Sequence, residues 1–209
     1  MYKKLHVVTD GQKSVQQISE IIREIYPYTS FIHLRENQKS AKELWQIIER
    51  LHQCKVPMNK IIVNDRVDIA HAAGAKGVHL AHHSLDVSIV KKHFPQMQVG
   101  CSVHSIQQAV AAEHDGADYV MFGHIFQSNS KKNLPPRGLS VLRTLTDTLS
   151  IPVVAIGGIQ IKNMRKVIKE GVDGIAVMSP IFSAESPLQV AQCFDHYIKI
   201  GEKDNEGTG

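Results

Sequence analysis

Short β-branched or apolar runs alternate eight times with longer segments of helical periodicity along this chain, and no break in composition interrupts the rhythm. Alternation of this kind builds parallel β/α units, because each strand needs a helix to cover its outer face. The strands are expected at Leu5–Thr9, Phe31–Leu34, Ile61–Val63, Gly77–Leu80, Gln98–Cys101, Tyr119–Phe122, Val153–Ile156 and Gly174–Met178. The helices are expected at Val15–Ile25, Ala41–His52, Val67–Ala73, Val87–His93, Ile106–His114, Leu139–Leu149, Ile161–Glu170 and Pro187–Lys199. The same alternation permits an open doubly wound sheet, but no GxGxxG follows the first strand, and a count of eight is what barrel closure requires. The expected fold is therefore α/β, a single (β/α)8 TIM barrel over residues 1–200, followed by a polar, glycine-containing tail at 201–209 expected to be flexible.

Three segments echo one another: AHAAGAKGVHL, AAEHDGADYVMF and IKEGVDGIAVM. Each reads as a helix end, a glycine in a left-handed cap (Gly74, Gly116, Gly171) and a buried strand. At 209 residues, with 43% hydrophobic and 21% charged residues, the chain has the makings of one soluble domain with a sizeable core, and no apolar run approaches a membrane span. MYKKLHVVTD enters a strand almost at once, leaving no room for a secretion signal. Cys54, Cys101 and Cys193 form no CxxC pair, which fits a reducing compartment, so the cytoplasm is the expected location. A net charge of +4 suits an anionic ligand, but the positive charges are scattered, and neither direct nucleic-acid binding nor a membrane partner is expected. A homodimer is the default expectation for assembly.

A barrel of this type builds its chemistry from residues just after each strand. Here those positions carry Thr9 and Asp10, Arg35 and Glu36, Asn64 and Asp65, His82 and His83, Ser102 and His104, His124, Gly157 and Gly158, and Ser179. The loops after the last two strands commonly bind phosphate, because backbone N–H groups and a helix N-terminus converge there. Gly157, Gly158 and Ser179 are accordingly the expected phosphate site, and the ligand a phosphorylated small molecule. Arg35 follows a buried run and reaches either an anion or a carboxylate such as Glu36 or Asp65. Asn64 either orients a substrate heteroatom or caps a helix; Asp65 reads as the cap of the helix beginning at Val67. His79, His82 and His83 read as partly solvated strand-end histidines, since nearby carboxylates or cysteines that would complete a metal site are missing. Ser102 and His104 lie on one side of an extended segment. His124 is the leading catalytic candidate, since it follows a strand, opens the loop Gln127–Arg137, and carries the side chain best suited to take and return a proton near neutrality. In that loop Lys131, Lys132 and Arg137 either hold anionic groups or are solvated.

The segments FIHLRE, VNDRVDIAHAAGAKGVHLAHH, GCSVHS, GADYVMFGHIF, IPVVAIGGI and GVDGIAVMSPIF, in this order, resemble the thiamine phosphate synthase superfamily, and FGHIF and AVMSPIF resemble its TenI branch. The synthases join a pyrimidine diphosphate to a thiazole phosphate with a magnesium ion between acidic side chains; their pattern has a lysine after LRE, an acid in a GQED-like segment and GPxxPT after the sixth strand. This chain has Asn37, Ala81–Ser84 and Gly123–Ser128 at those places, and keeps Asp65. The TenI resemblance implies a thiazole tautomerase that aromatises a phosphorylated carboxythiazole without metal or cofactor. It implies His124 as general acid/base; Arg35 is then expected on the substrate carboxylate, Asn64 and Ser102 positioning the ring, and Lys131 among the substrate-binding residues. The alternatives are synthase-like activity, or a non-catalytic regulator of extracellular enzyme production, for which no helix-turn-helix is evident.

Overall fold

A computed structural model of the chain describes residues 3–128 and 134–206, with side chains as far as residue 200. Eight parallel strands close into a barrel in sequence order: β1 (Lys4–Val8), β2 (Phe31–Leu34), β3 (Ile61–Asn64), β4 (Gly77–Leu80), β5 (Gln98–Val103), β6 (Tyr119–Gly123), β7 (Val153–Ile156) and β8 (Gly174–Val177). Closure is made by β1 and β8, which pair Lys4 with Gly174 through to Val7 with Val177. The outer helices are α1 (Val15–Ile25), α2 (Ala41–Gln53), α3 (Val67–Ala72), α4 (Val87–His93), α5 (Ile106–His114), α6 (Gly138–Thr148), α7 (Ile161–Ile168), α8 (Ser179–Phe182) and α9 (Pro187–Glu206). The expected barrel is therefore the observed one.

Local chemistry explains the helix starts. Ser14 and Ser40 each accept a hydrogen bond from the backbone three residues on, while Gln17 and Glu43 reach back to the cap residue's N–H. This reciprocal pairing satisfies donors that the first turn otherwise leaves unpaired. Gly74, Gly116 and Gly171 all take positive φ, as the three echoing segments require. Two short 3-10 turns, Tyr26–Tyr28 and Met58–Lys60, and the four-residue α8 are too brief for periodicity to reveal. Helix α9 runs to Glu206, beyond the expected end at Lys199.

Alternation along each strand divides the buried side chains into two cores. Outward-facing residues such as Leu5, Val7, Ile32, Leu34, Val63 and Val78 pack against the helices in one large cluster. A smaller cluster fills the barrel itself: Val8, Ile62, Tyr119, Met121, Val154 and Ala176. The inner layer is also polar. His6, His33 and His79 are almost fully buried, with relative exposures of 3%, 1% and 2%. A Cβ on Gly100 would lie 1.9 Å from the Tyr119 ring, so bare backbone at β5 makes the room that this ring occupies.

Candidate active site

The C-terminal ends of the strands gather most of the expected residues around one mouth. At its β1–β2 edge, Thr9 is buried and its Oγ1 accepts the Arg35 N–H at 2.9 Å, tying two strand ends together. The Arg35 side chain is exposed and makes no ion pair among the described residues. Glu36, one suggested partner, is buried and pairs with Lys39 at 2.7 Å. Asp65, the other, lies 3.8 Å from His83. The guanidinium is thus paired with neither of the two suggested carboxylates.

Asp65 does not cap α3. The cap position is Arg66, without a side-chain capping bond, and Asp65 itself adopts φ +65°. Its backbone N–H donates to the His79 carbonyl at 2.9 Å, and the chain then turns sharply as Arg66 N–H donates to the Asn64 carbonyl at 2.8 Å. Arg66 pairs instead with Asp68, Nε to Oδ1 at 2.9 Å, leaving Asp65 uncommitted to a guanidinium. Asn64 closes β3 at the mouth, and its buried Oδ1 lies beside the His33 imidazole of the inner layer.

His82 and His83 are exposed, as expected for strand-end histidines, but His79 is not. In GVHL the pleat turns Val78 and Leu80 outward and His79 into the barrel. There His79 Nδ1 lies 3.0 Å from the Tyr119 hydroxyl and Nε2 lies 2.9 Å from Ser102 Oγ. Burial pushes the His79 imidazole down to about 4, so it is neutral at pH 7. His6 Nδ1 and His33 Nε2 share a proton contact of 2.9 Å beside it. Strand parity was the signal that could have placed His79; read letter by letter, it looks like its solvated neighbours. His104, just past β5, has Nδ1 3.0 Å from the Gly123 carbonyl at the end of β6.

His124 is buried at 5% exposure, with Nε2 3.2 Å from the Leu134 carbonyl, so the imidazole N–H holds the returning arm of the β6–α6 loop. The backbone reinforces this: Arg137 N–H donates to the His124 carbonyl at 2.9 Å. The glycine pair after β7 presses on the same loop. A Cβ on Gly157 would lie 2.3 Å from His124 Cβ, and one on Gly158 would lie 2.6 Å from the Gln127 carbonyl oxygen. Phe126 N–H donates to the Gly157 carbonyl at 3.0 Å. Gly157 and Gly158 therefore seat the His124 loop in addition to leading into α7. Ser179 opens α8 and, with Gln160 and Lys162 at the start of α7, lines a depression of about 450 Å³. Lys131 and Lys132 lie outside the described residues.

Residues 5–181 match the family described as "Thiamine monophosphate synthase". The chain belongs to that family. A thiamine-phosphate synthase of Pyrococcus furiosus is 36% identical over 87% of this chain and 88% of its own length. One from Chlorobium phaeovibrioides is 38% identical over 94% of this chain and 95% of its own. The solved structure of a thiamine phosphate pyrophosphorylase from Pyrococcus furiosus superposes with a TM-score of 0.80 at 31% identity, covering 95% and 96% of the two chains. A 3-hexulose-6-phosphate synthase, at 19% identity and a TM-score of 0.74, shares the fold. These findings correct the activity expected from the sequence: relatives that match nearly the whole chain are named thiamine-phosphate synthase, so the thiazole tautomerase gives way to the synthase alternative. The FGHIF and AVMSPIF segments weighed most in that expectation, yet they span few residues against a match of this extent. Among the described residues no helix is long and apolar enough to cross a membrane.

Proposed function

We propose that this chain is a transferase that joins a pyrimidine carried on a diphosphate to a thiazole phosphate. The observation that carries this reading is the likeness of 36–38% across about nine-tenths of the chain to proteins named for that activity. In the reaction the carbon–oxygen bond to the diphosphate breaks, the leaving group takes the electron pair, and the thiazole nitrogen supplies the pair for the new carbon–nitrogen bond. Charge on the departing diphosphate is what the site must stabilise. Arg35, exposed and uncommitted, supplies positive charge at the β2 edge of the mouth. Gly157, Gly158 and Ser179 hold the phosphate of the thiazole, with two strand-to-helix turns supplying backbone N–H groups. Asn64 and Ser102 orient the rings.

Magnesium suits the donor set in its one-carboxylate mode, in which substrate phosphates and water complete the shell. Asp65 is the group that would hold it, being partly exposed at the mouth and free of a guanidinium. Ser84 supplies no second carboxylate, and its Oγ accepts the Ala81 N–H at 2.8 Å. When bound, the ion supplies charge neutralisation to the leaving diphosphate. His124 has no proton to carry in this displacement; its bond to Leu134 gives it the task of holding the loop beside the phosphate corner.

The test is product formation from the two phosphorylated substrates with magnesium present. Thiamine phosphate and diphosphate are expected in equal amounts from the wild type. Asp65→Asn is expected to lower kcat by about 10²-fold, the size typical of losing one charge-stabilising group, and to raise the magnesium concentration giving half-maximal rate. Wild-type protein giving no product above the spontaneous rate would remove the reading.

A further inference from the structure

Tyr119, His79 and Ser102 form a file across the barrel, and the direction of its hydrogen bonds follows from counting donors. The Tyr119 hydroxyl is buried, and its partner among the described residues is His79 Nδ1 at 3.0 Å. Were Nδ1 to carry the proton and donate to Tyr119, the phenolic proton would be left buried with no acceptor, a cost that native structures avoid. In the opposite direction every proton is used. Tyr119 O–H donates to Nδ1, Nε2–H donates to Ser102 Oγ at 2.9 Å, and the Ser102 proton is released toward the mouth, where Ser102 is half-buried. Burial holds Tyr119 protonated and His79 neutral, as this arrangement needs. Gly100 completes the device, since any Cβ there would occupy the place of the Tyr119 ring.

We infer that His79 and Tyr119 are positioning residues that fix the Ser102 hydroxyl as a hydrogen-bond donor, so that the ligand atom above it is an acceptor, an unprotonated ring nitrogen of the heterocycle. The choice of heterocycle over phosphate rests on the proposed reaction and on place: Ser102 lies on β5, whereas the phosphate corner follows β7 and β8. A ligand offering only N–H at this point would leave the Ser102 proton without an acceptor, so the file favours a ligand with an acceptor there.

Nitrogen-15 NMR of the histidine rings tests the geometry without reference to activity. Wild-type His79 is expected as the single Nε2–H tautomer from pH 6 to 8, and Tyr119→Phe is expected to lose that purity. An Nδ1–H tautomer in the wild type would overturn the inference even if synthase activity is found. Kinetics test the consequence. Ser102→Ala is expected to raise KM for the pyrimidine diphosphate about tenfold, worth about 1.4 kcal/mol, with the affinity for inorganic phosphate unchanged. Tyr119→Phe is expected to raise the same KM about threefold alone and to add nothing in the Ser102→Ala background. Additive effects would show that Tyr119 does not act through Ser102, and loss of phosphate affinity in Ser102→Ala would move the acceptor from ring to phosphate. Should the wild type prove inactive as a synthase, the tautomer still decides whether the file points outward.

Discussion

Lowering the pH from 7.5 to 5 is expected to remove about 4 kcal/mol of folding stability through two buried histidines, with a third acting in the same direction, a large share of the 5–15 kcal/mol typical of a domain. Burial is the main cause. It pushes the His6 imidazole down to about 3 and His79 to about 4, and it holds His33 well below the usual range, with His6 and His79 beside His33 adding to the effect. In the unfolded chain each titrates near 6.5. Above that value neither state binds protons and stability is flat. As the pH falls below it the unfolded state gains protons that the folded state refuses, costing about 1.4 kcal/mol per pH unit for each histidine until its folded pKa is reached. At pH 5 that is about 2 kcal/mol for each of His6 and His79, and His33 adds to the loss in the same direction. Most carboxylates titrate lower, so the window between 6.5 and 5 isolates the histidines. Urea unfolding midpoints across this range measure the slope, and His79→Gln should remove about 2 kcal/mol of the loss between pH 7.5 and 5. A midpoint unchanged from pH 7.5 to 5 would mean that these rings ionise within the folded barrel.

Gly157→Ala is expected to cost about 2–4 kcal/mol of stability and about 10²-fold in kcat/KM, the scale of an ångström's misplacement in a site. Gly157 sits at φ +101°, and the added Cβ would meet not a flexible tip but His124 Cα at 2.6 Å and Cβ at 2.3 Å. The β6–α6 loop must then move. Gly74→Ala is the matched control, since Gly74 is at φ +59° with nothing within 4 Å of an added Cβ. It should cost about 1 kcal/mol and leave turnover unchanged. Thermal denaturation and steady-state kinetics on the two variants separate the effects; equal losses in both would reduce Gly157 to a turn-former.

The barrel was legible because its signals are local. β-branched runs bounded by polar or glycine residues place Phe31–Leu34, Gly77–Leu80 and Val153–Ile156 at their observed limits, and serine caps mark where α1, α2 and α5 begin. The strand-end rule likewise places Arg35, Asn64 and the glycine pair at one mouth. What escaped is long-range. The partners of His79 stand 23 and 40 residues away, and the N–H of Asp65 continues the ladder to β4 while the cap position falls on Arg66. The positive φ at Asp65 belongs to a tight turn in which Arg66 N–H donates to the Asn64 carbonyl at 2.8 Å, a conformation that aspartate tolerates better than most residues. Activity escaped for another reason: two short segments cannot outweigh the likeness of a whole chain.

The separation of the two cores gives this chain an uneven tolerance to change. The annulus between sheet and helices holds the bulk of the buried aliphatic side chains, whereas the barrel's inside is small, mixed with imidazoles and partly open to the mouth. Substitutions in the annulus will therefore be selected on folding, and those inside on ligand choice. A lineage could exchange interior residues to adopt a new substrate while its solubility and yield stay nearly constant, which makes the inner layer the natural ground for divergence and for redesign.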